Sequence, residues 1–231
     1  MAERWPAGRE DYYWHVLPGG AADRERLAGS FGELTERPGL VPVRPEWMHV
    51  AVQRLGPASG ITGTELARMT RLMQGRCGGI APFTVTAGRA EAWEAGVVCP
   101  VRPGYLLRFP RQVIAEVAGR GPGSGLPAYC PHLTLAFAAT RGGQGPVRAW
   151  LSDCEAPEPE LLVARLVLVA QRHDRREITW RVIDEVALSG PSRMVSPTAA
   201  CRTSAVLTMP PGMARTCRSM RPSSRGALAM E

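Results

Sequence analysis

The residues best suited to chemistry are a histidine and a hydroxyl two places apart. They are His132 and Thr134, in the run Pro131-His132-Leu133-Thr134-Leu135-Ala136-Phe137. Read as a β-strand, this run alternates between two faces. Leu133, Leu135 and Phe137 fall on one face, the pattern of a strand buried on that side. His132, Thr134 and Ala136 fall on the other, with the imidazole and the hydroxyl about 6.6 Å apart along the strand. A second run, Trp47-Met48-His49-Val50-Ala51-Val52-Gln53-Arg54-Leu55, places His49, Ala51 and Gln53 on one face and Met48, Val50 and Val52 on the other. The two histidines stand 83 residues apart, which lets each belong to its own half of a single domain. Two imidazoles on opposite sides of a phosphodiester provide acid–base catalysis. One takes a proton from the attacking oxygen while the other gives one to the leaving oxygen. Thr134 would donate a hydrogen bond to a phosphate oxygen, and the Gln53 amide is a second candidate one pleat further along its strand.

Two strands that carry histidine with a hydroxyl two places on resemble the two-histidine phosphoesterase superfamily, the group of 2'-5' RNA ligases and 2',3'-cyclic phosphodiesterases. His132-Leu133-Thr134 matches that pattern in full. His49-Val50-Ala51 departs from it, with alanine where the family has threonine or serine. The resemblance covers roughly residues 10 to 188. It implies His49 and His132 as the catalytic pair and Thr134 as a phosphate binder. It also implies chemistry without metal or cofactor, on a 2',3'-cyclic phosphate or a 2'-5' linkage at an RNA end. Ring opening in that family leaves a 2'-phosphate, and ligation is the same chemistry run backwards. Two other readings stay open: a binding module for nucleotides or RNA ends, its chemistry weakened at Ala51, and a phosphodiesterase acting on a small cyclic phosphate of ADP-ribose type. A hydrogen bond to a charged group contributes about 1.5–3 kcal/mol, or roughly one to two powers of ten in rate. Loss of a general acid or base costs about 10²–10⁴. On these magnitudes Ala51 weakens the site and leaves the proton-transfer pair intact.

Composition bounds the partners. The chain has 231 residues and an apolar fraction of 45%, enough for one sizeable domain or two small lobes sharing a core. All 28 basic residues are arginine. Residues 190–231 hold six of them against one acid, Glu231, so the basic balance belongs largely to the C-terminal segment and says little about a cleft. The most apolar run, residues 161–170, is broken by Arg165, which excludes a bilayer-spanning helix there. The first twenty residues carry charges throughout and no apolar core of a signal peptide. Six cysteines without a C-x-x-C pair or metal-ligand spacing read as reduced thiols. The expectation is a cytoplasmic monomer that meets RNA ends or a cyclic nucleotide and no membrane.

The elements that must position these residues follow in order. Residues 12–18 read as a first strand in which His15 is an ordinary strand histidine, and 21–37 as a helix. Thr62-Gly63-Thr64-Glu65 opens a second helix with a hydroxyl cap and an acid three places on, and Leu66, Met69 and Met73 form its apolar stripe. Strands are expected at 83–90 and 96–101, and a helix starting after Pro110 with Val113, Ile114 and Val117 inward. Loops are expected at 121–127 and 141–146; residues 147–160 give no clear type. Residues 161–171 and 177–188 read as the two strands of a closing hairpin, with His173 at its solvated tip. Arg44 is a candidate phosphate contact, whereas Arg54 falls on the face opposite His49. The resulting expectation is an α+β protein of two similar lobes, each an antiparallel sheet flanked by helices, around a central cleft. That domain takes residues 1–189, and a disordered basic tail, solvated or serving as an arm for RNA, takes 190–231.

Overall fold

The structure is a computed structural model, which describes residues 8–32, 37–119, 129–139, 145–153, 158–174 and 177–191. The expected loop at 121–127, most of that at 141–146 and nearly all of the 190–231 tail lie outside the described residues. In chain order the elements are β1 (Glu10–Val16), α1 (Ala21–Ser30), β2 (Leu40–Pro42), β3 (Val50–Pro57), α2 (Gly63–Cys77), β4 (Phe83–Ala87) and β5 (Glu91–Trp93). They continue with β6 (Gly96–Arg102), α3 (Tyr105–Val117), β7 (His132–Ala138), α4 (Gly145–Asp153), β8 (Glu160–Val163), β9 (Arg165–Asp174) and β10 (Glu177–Ala187).

The strands form one antiparallel sheet in the order β10-β9-β1-β3-β7-β6-β4-β8, with β2 added to β7 and β5 to β6. Along that order four strands lie on each side of the β3/β7 junction, with β2 and β5 added on the β7 side, so the α+β fold of two similar halves is the one observed. Alternation explains which face each strand buries. Tyr12, Trp14 and Val16 of β1, Val50 and Val52 of β3, Leu133 and Leu135 of β7, and Leu166 and Leu168 of β9 all enter one core. Helices α2 and α3 pack against each other, α2 also against β10 and α3 against β3.

Helix α2 starts where the sequence says it should. The Glu65 N–H donates to Thr62 Oγ1 at 3.2 Å and the Thr62 N–H to Glu65 Oε2 at 2.8 Å. Leu66, Thr70, Met73 and Cys77 are its buried side chains. Helix α3 begins at Tyr105, five residues before Pro110, and not after it. Its buried stripe, Leu107, Pro110, Val113 and Ile114, already runs through the proline at helical spacing. Proline forfeits one backbone hydrogen bond there, and burial of that stripe offsets the loss.

The expected strand over 161–171 is two strands that serve opposite halves. β8 pairs with β4, whereas β9 pairs with β1 and β10. The chain crosses between halves at Ala164, and residues 147–160, ambiguous in sequence, supply α4 and the start of β8.

The junction of the halves is a single residue pair, Val50 opposite Leu133. Beyond it β7 changes partner. Val43 N–H donates to the Leu135 carbonyl at 2.8 Å, and β2 takes Ala136, Phe137 and Ala138. On the far side β6 closes onto β7 through Gly96, at φ +155°, where a Cβ would run into the Ala136 carbonyl oxygen. Only glycine allows that approach.

Candidate active site

Val50 and Leu133 face each other in an antiparallel pair, and His49 and His132 are the residues immediately before them. The two histidines therefore lie on the same face of the sheet, diagonally across the junction, a relation that in a regular ladder spans about 7–8 Å. Ala51 and Thr134 share that face. Each histidine is held in the same way. His49 Nδ1 lies 2.9 Å from the Trp47 carbonyl oxygen, and His132 Nδ1 lies 2.9 Å from that of Cys130. A carbonyl can only accept, so Nδ1 carries a hydrogen in both rings and Nε2 is the atom left to take or give a proton.

The surroundings of the two rings differ. His49 stacks on His15, with ring centroids 4.1 Å apart and planes 21° from parallel. Trp180 meets both rings edge-on, at 4.7 Å from His49 and 5.3 Å from His15. Trp47 packs on Trp180 at 5.0 Å. Burial pushes the His49 imidazole down to about 4, with the Trp47 carbonyl opposing the shift and His132 and His173 adding to it. His49 is thus neutral at pH 7. His132 is flanked instead by Trp93 of β5, 4.8 Å away, whose indole N–H donates to Glu91.

Thr134 is half-buried on the face of His132, opposite Val98 of β6. Gln53 stands on the His49 side with both ends of its amide engaged. Its oxygen accepts from Arg111 Nε at 2.9 Å, and its nitrogen donates to the Arg54 carbonyl at 2.8 Å. Arg111 also lies over the Tyr129 ring, and the Tyr129 hydroxyl donates to the Ala51 carbonyl at 3.0 Å. These three side chains bridge the gap where β3 and β7 diverge. Arg54 is spent on the buried Asp11 carboxylate, and Arg44 pairs with Glu177 and Glu46.

His15 lies in β1, where it was expected, fully buried and stacked on His49, a contact the sequence did not foretell; one histidine departs from its expected place. His173 belongs to β9, is half-buried and lies with Nε2 2.8 Å from Gln171 Nε2, so it is not a solvated tip. Period-two alternation places Tyr13 and His15 on the face opposite Tyr12 and Trp14. That was the available signal for His15; none in sequence pointed to Tyr129, Arg111 or Trp93. Among the described residues no group of three or more His, Cys, Asp or Glu side chains is arranged to hold a metal ion. No helix among them is long and apolar enough to cross a membrane.

The curled antiparallel sheet with its flanking helices defines a class of fold that is shared with solved phosphoesterase structures. E. coli LigT in complex with NADP+ is 18% identical, with a TM-score of 0.56 over 78% of this chain and 99% of LigT. TT0787 of Thermus thermophilus is 20% identical, with a TM-score of 0.57 over 78% of this chain and 98% of its own. A phosphoesterase crystal structure is 19% identical, with a TM-score of 0.58 over 78% and 99%. No family model and no curated protein matches the chain. At these identities the likeness is one of fold.

Proposed function

We propose that the chain is a phosphodiesterase or ligase acting on RNA ends that carry a 2',3'-cyclic phosphate or a 2'-5' linkage, with His49 and His132 as the acid–base pair. One observation carries this reading: two histidines related across the Val50–Leu133 pair, each tied through Nδ1 to a carbonyl so that Nε2 is the proton-handling atom. In hydrolysis His49, held neutral, takes the proton of the attacking water as its oxygen bonds to phosphorus. His132, acting as the imidazolium with a second proton on Nε2, gives that proton to the 3' oxygen as that P–O bond breaks. The products are a 2'-phosphate and a 3'-hydroxyl; with a 5'-hydroxyl attacking in place of water, the same proton transfers form a 2'-5' linkage, which is ligation. Thr134 donates to a non-bridging phosphate oxygen, where charge builds in the transition state. Proton transfer between two imidazoles needs no metal ion. The fold likeness supports a phosphoesterase role, and LigT has been solved with NADP+, 3'-AMP, ATP and phosphate, ligands of the phosphate and nucleotide class.

A second reading, a phosphodiesterase on a small cyclic nucleotide, is favoured by the aromatic rings at both ends of the face. Trp93 lies beside His132, Trp180 lies beside His49, and Arg44 is already paired with carboxylates. The test is hydrolysis of a nucleoside 2',3'-cyclic phosphate with chelator present, in the natural protein, His49→Ala and His132→Ala. The expected result is chelator-resistant turnover that falls about 10²–10⁴-fold in each variant. A folded natural protein inactive on several cyclic phosphates and RNA ends sinks the reading. A similar kcat/KM on a mononucleotide and on an RNA end selects the small-nucleotide version.

A further inference from the structure

We propose that His15 is a positioning residue for His49: its buried imidazole is the platform on which the His49 ring lies, and it holds that ring in the orientation needed to accept a proton. This rests on the reading of His49 as the base. Three restraints fix the His49 ring. The Trp47 carbonyl holds Nδ1, Trp180 closes one edge, and His15 covers a face at 4.1 Å. The first two define a direction and an edge; only the His15 face prevents the ring from rocking about its Nδ1 tether. His15 itself is fully buried; the Gln171 amide acts on it, but neither ring nitrogen makes a hydrogen bond of normal geometry. An unsatisfied buried polar group costs about 1–3 kcal/mol. A position needed only to fill the core would be occupied by an apolar side chain. The imidazole does its work on its neighbour.

The departure of the first motif fits the same arrangement. His15 stands directly opposite Ala51 across β1 and β3. Side chains so paired have Cβ atoms about 4.5–5.5 Å apart. A threonine at position 51 adds two heavy atoms beside the imidazole, whereas alanine leaves the ring its room. Histidine at 15 and alanine at 51 are thus two parts of one packing solution.

The groups acting on His49 are known from each packed element. They are His15 of β1, His132 of β7 and His173 of β9; the Asp11 carboxylate and Arg9 act in turn on His173. Trp180 of β10 carries no charge. Arg44, whose guanidinium lies 5.9 Å from the centre of the Trp47 ring, is itself paired with Glu46 and Glu177.

The experiment compares the full chain with His15→Phe, His15→Ala and His15→Leu. The His49 titration is followed by NMR of its ring C–H, and kcat and KM are measured on a nucleoside 2',3'-cyclic phosphate. The expected result is a kcat about 100-fold lower in His15→Ala with KM nearly unchanged, since misplacing a reacting group costs about that much. The His49 titration moves up toward the ordinary histidine range as water enters. His15→Phe, which keeps a flat ring, recovers kcat to within about tenfold and keeps the low titration. His15→Leu fills the volume without the flat face and behaves like the alanine variant, which covers the case in which His15→Ala fails to fold. Loss of thermal stability in all variants with kcat and the His49 titration unchanged overturns the proposal. The NMR titration needs no substrate, and an active His49→Ala overturns the acid–base reading instead. An inactive His49→Ala beside a fully active His15→Ala overturns only this inference.

Discussion

Ala51 is the residue at which the site departs from a symmetric design, and its effect is open to direct measurement. Ala51→Thr supplies a hydroxyl beside His49, and a hydrogen bond to a phosphate oxygen is expected to raise kcat about tenfold. The added atoms press on His15, and overpacking of this kind costs about 1–3 kcal/mol; the gain is expected with a lower melting temperature and with the low His49 titration retained, which shows that His15 keeps its place. A folded Ala51→Thr protein with unchanged kcat removes position 51 from the phosphate contacts. Gln53 makes a poor substitute for that hydroxyl, because Arg111 on its oxygen and the Arg54 carbonyl on one of its two N–H groups fix the direction of the remaining donor. At this scale alternation alone set the faces on which His49, His132 and Thr134 lie, since a strand's period of two decides the face. It did not announce His15 as the neighbour of His49. That contact depends on the register of β1 against β3, and Trp180 depends on that of β10 against β9. Registers between strands distant in sequence are set by tertiary packing and leave no local mark.

Elements were legible where a local rule acts and obscured where two rules compete. The Thr62–Glu65 capping box is such a local rule. Thr62→Ala is expected to cost about 1 kcal/mol in urea unfolding while leaving kcat per folded molecule unchanged, because α2 packs on the core side of the sheet. A change in kcat larger than about twofold would tie α2 to the site and defeat that expectation. In α3 the proline rule and the apolar spacing pulled in opposite directions. The spacing won, because Leu107, Pro110, Val113 and Ile114 reach one core together. The run 161–171 misled for another reason. It is apolar on both faces through most of its length, so nothing in its pattern marked Ala164 as the point where the chain changes halves.

For the molecule as a whole, the buried histidines set the response to acid. His49 titrates at about 4 in the folded chain and near 6.5 when unfolded, and burial also drives His15 well below its ordinary value. The unfolded chain therefore binds more protons in this range. The stabilisation is complete above about pH 6.5 and is lost as pH falls toward about 4, by about 3 kcal/mol for His49. Asp11 acts in a lower window. Burial raises its carboxyl, but hydrogen bonds from Arg9 and Arg54 outweigh that and hold it below the usual range, so its contribution persists until pH falls through that lowered value. Urea unfolding at about pH 7, 5.5 and 4.5 is expected to show a steady fall, shallower in His49→Ala. A flat profile over that range contradicts the buried, neutral state of His49.

The crossing at Ala164 has a consequence in time. β4, β6, β7 and β8, the half that carries His132, lie consecutively within residues 83–163, so they leave the ribosome as one run. The half that carries His49 is split. β1 and β3 emerge first, and β9 and β10 arrive only after the other half has been synthesised. Throughout that interval His15 and His49 are already made but lack Trp180 and the β9 wall that bury them. A nascent chain stopped after β8 holds both His49 and His132 with only His132 in its finished surroundings. Of these two, the one synthesised first is the last to be housed.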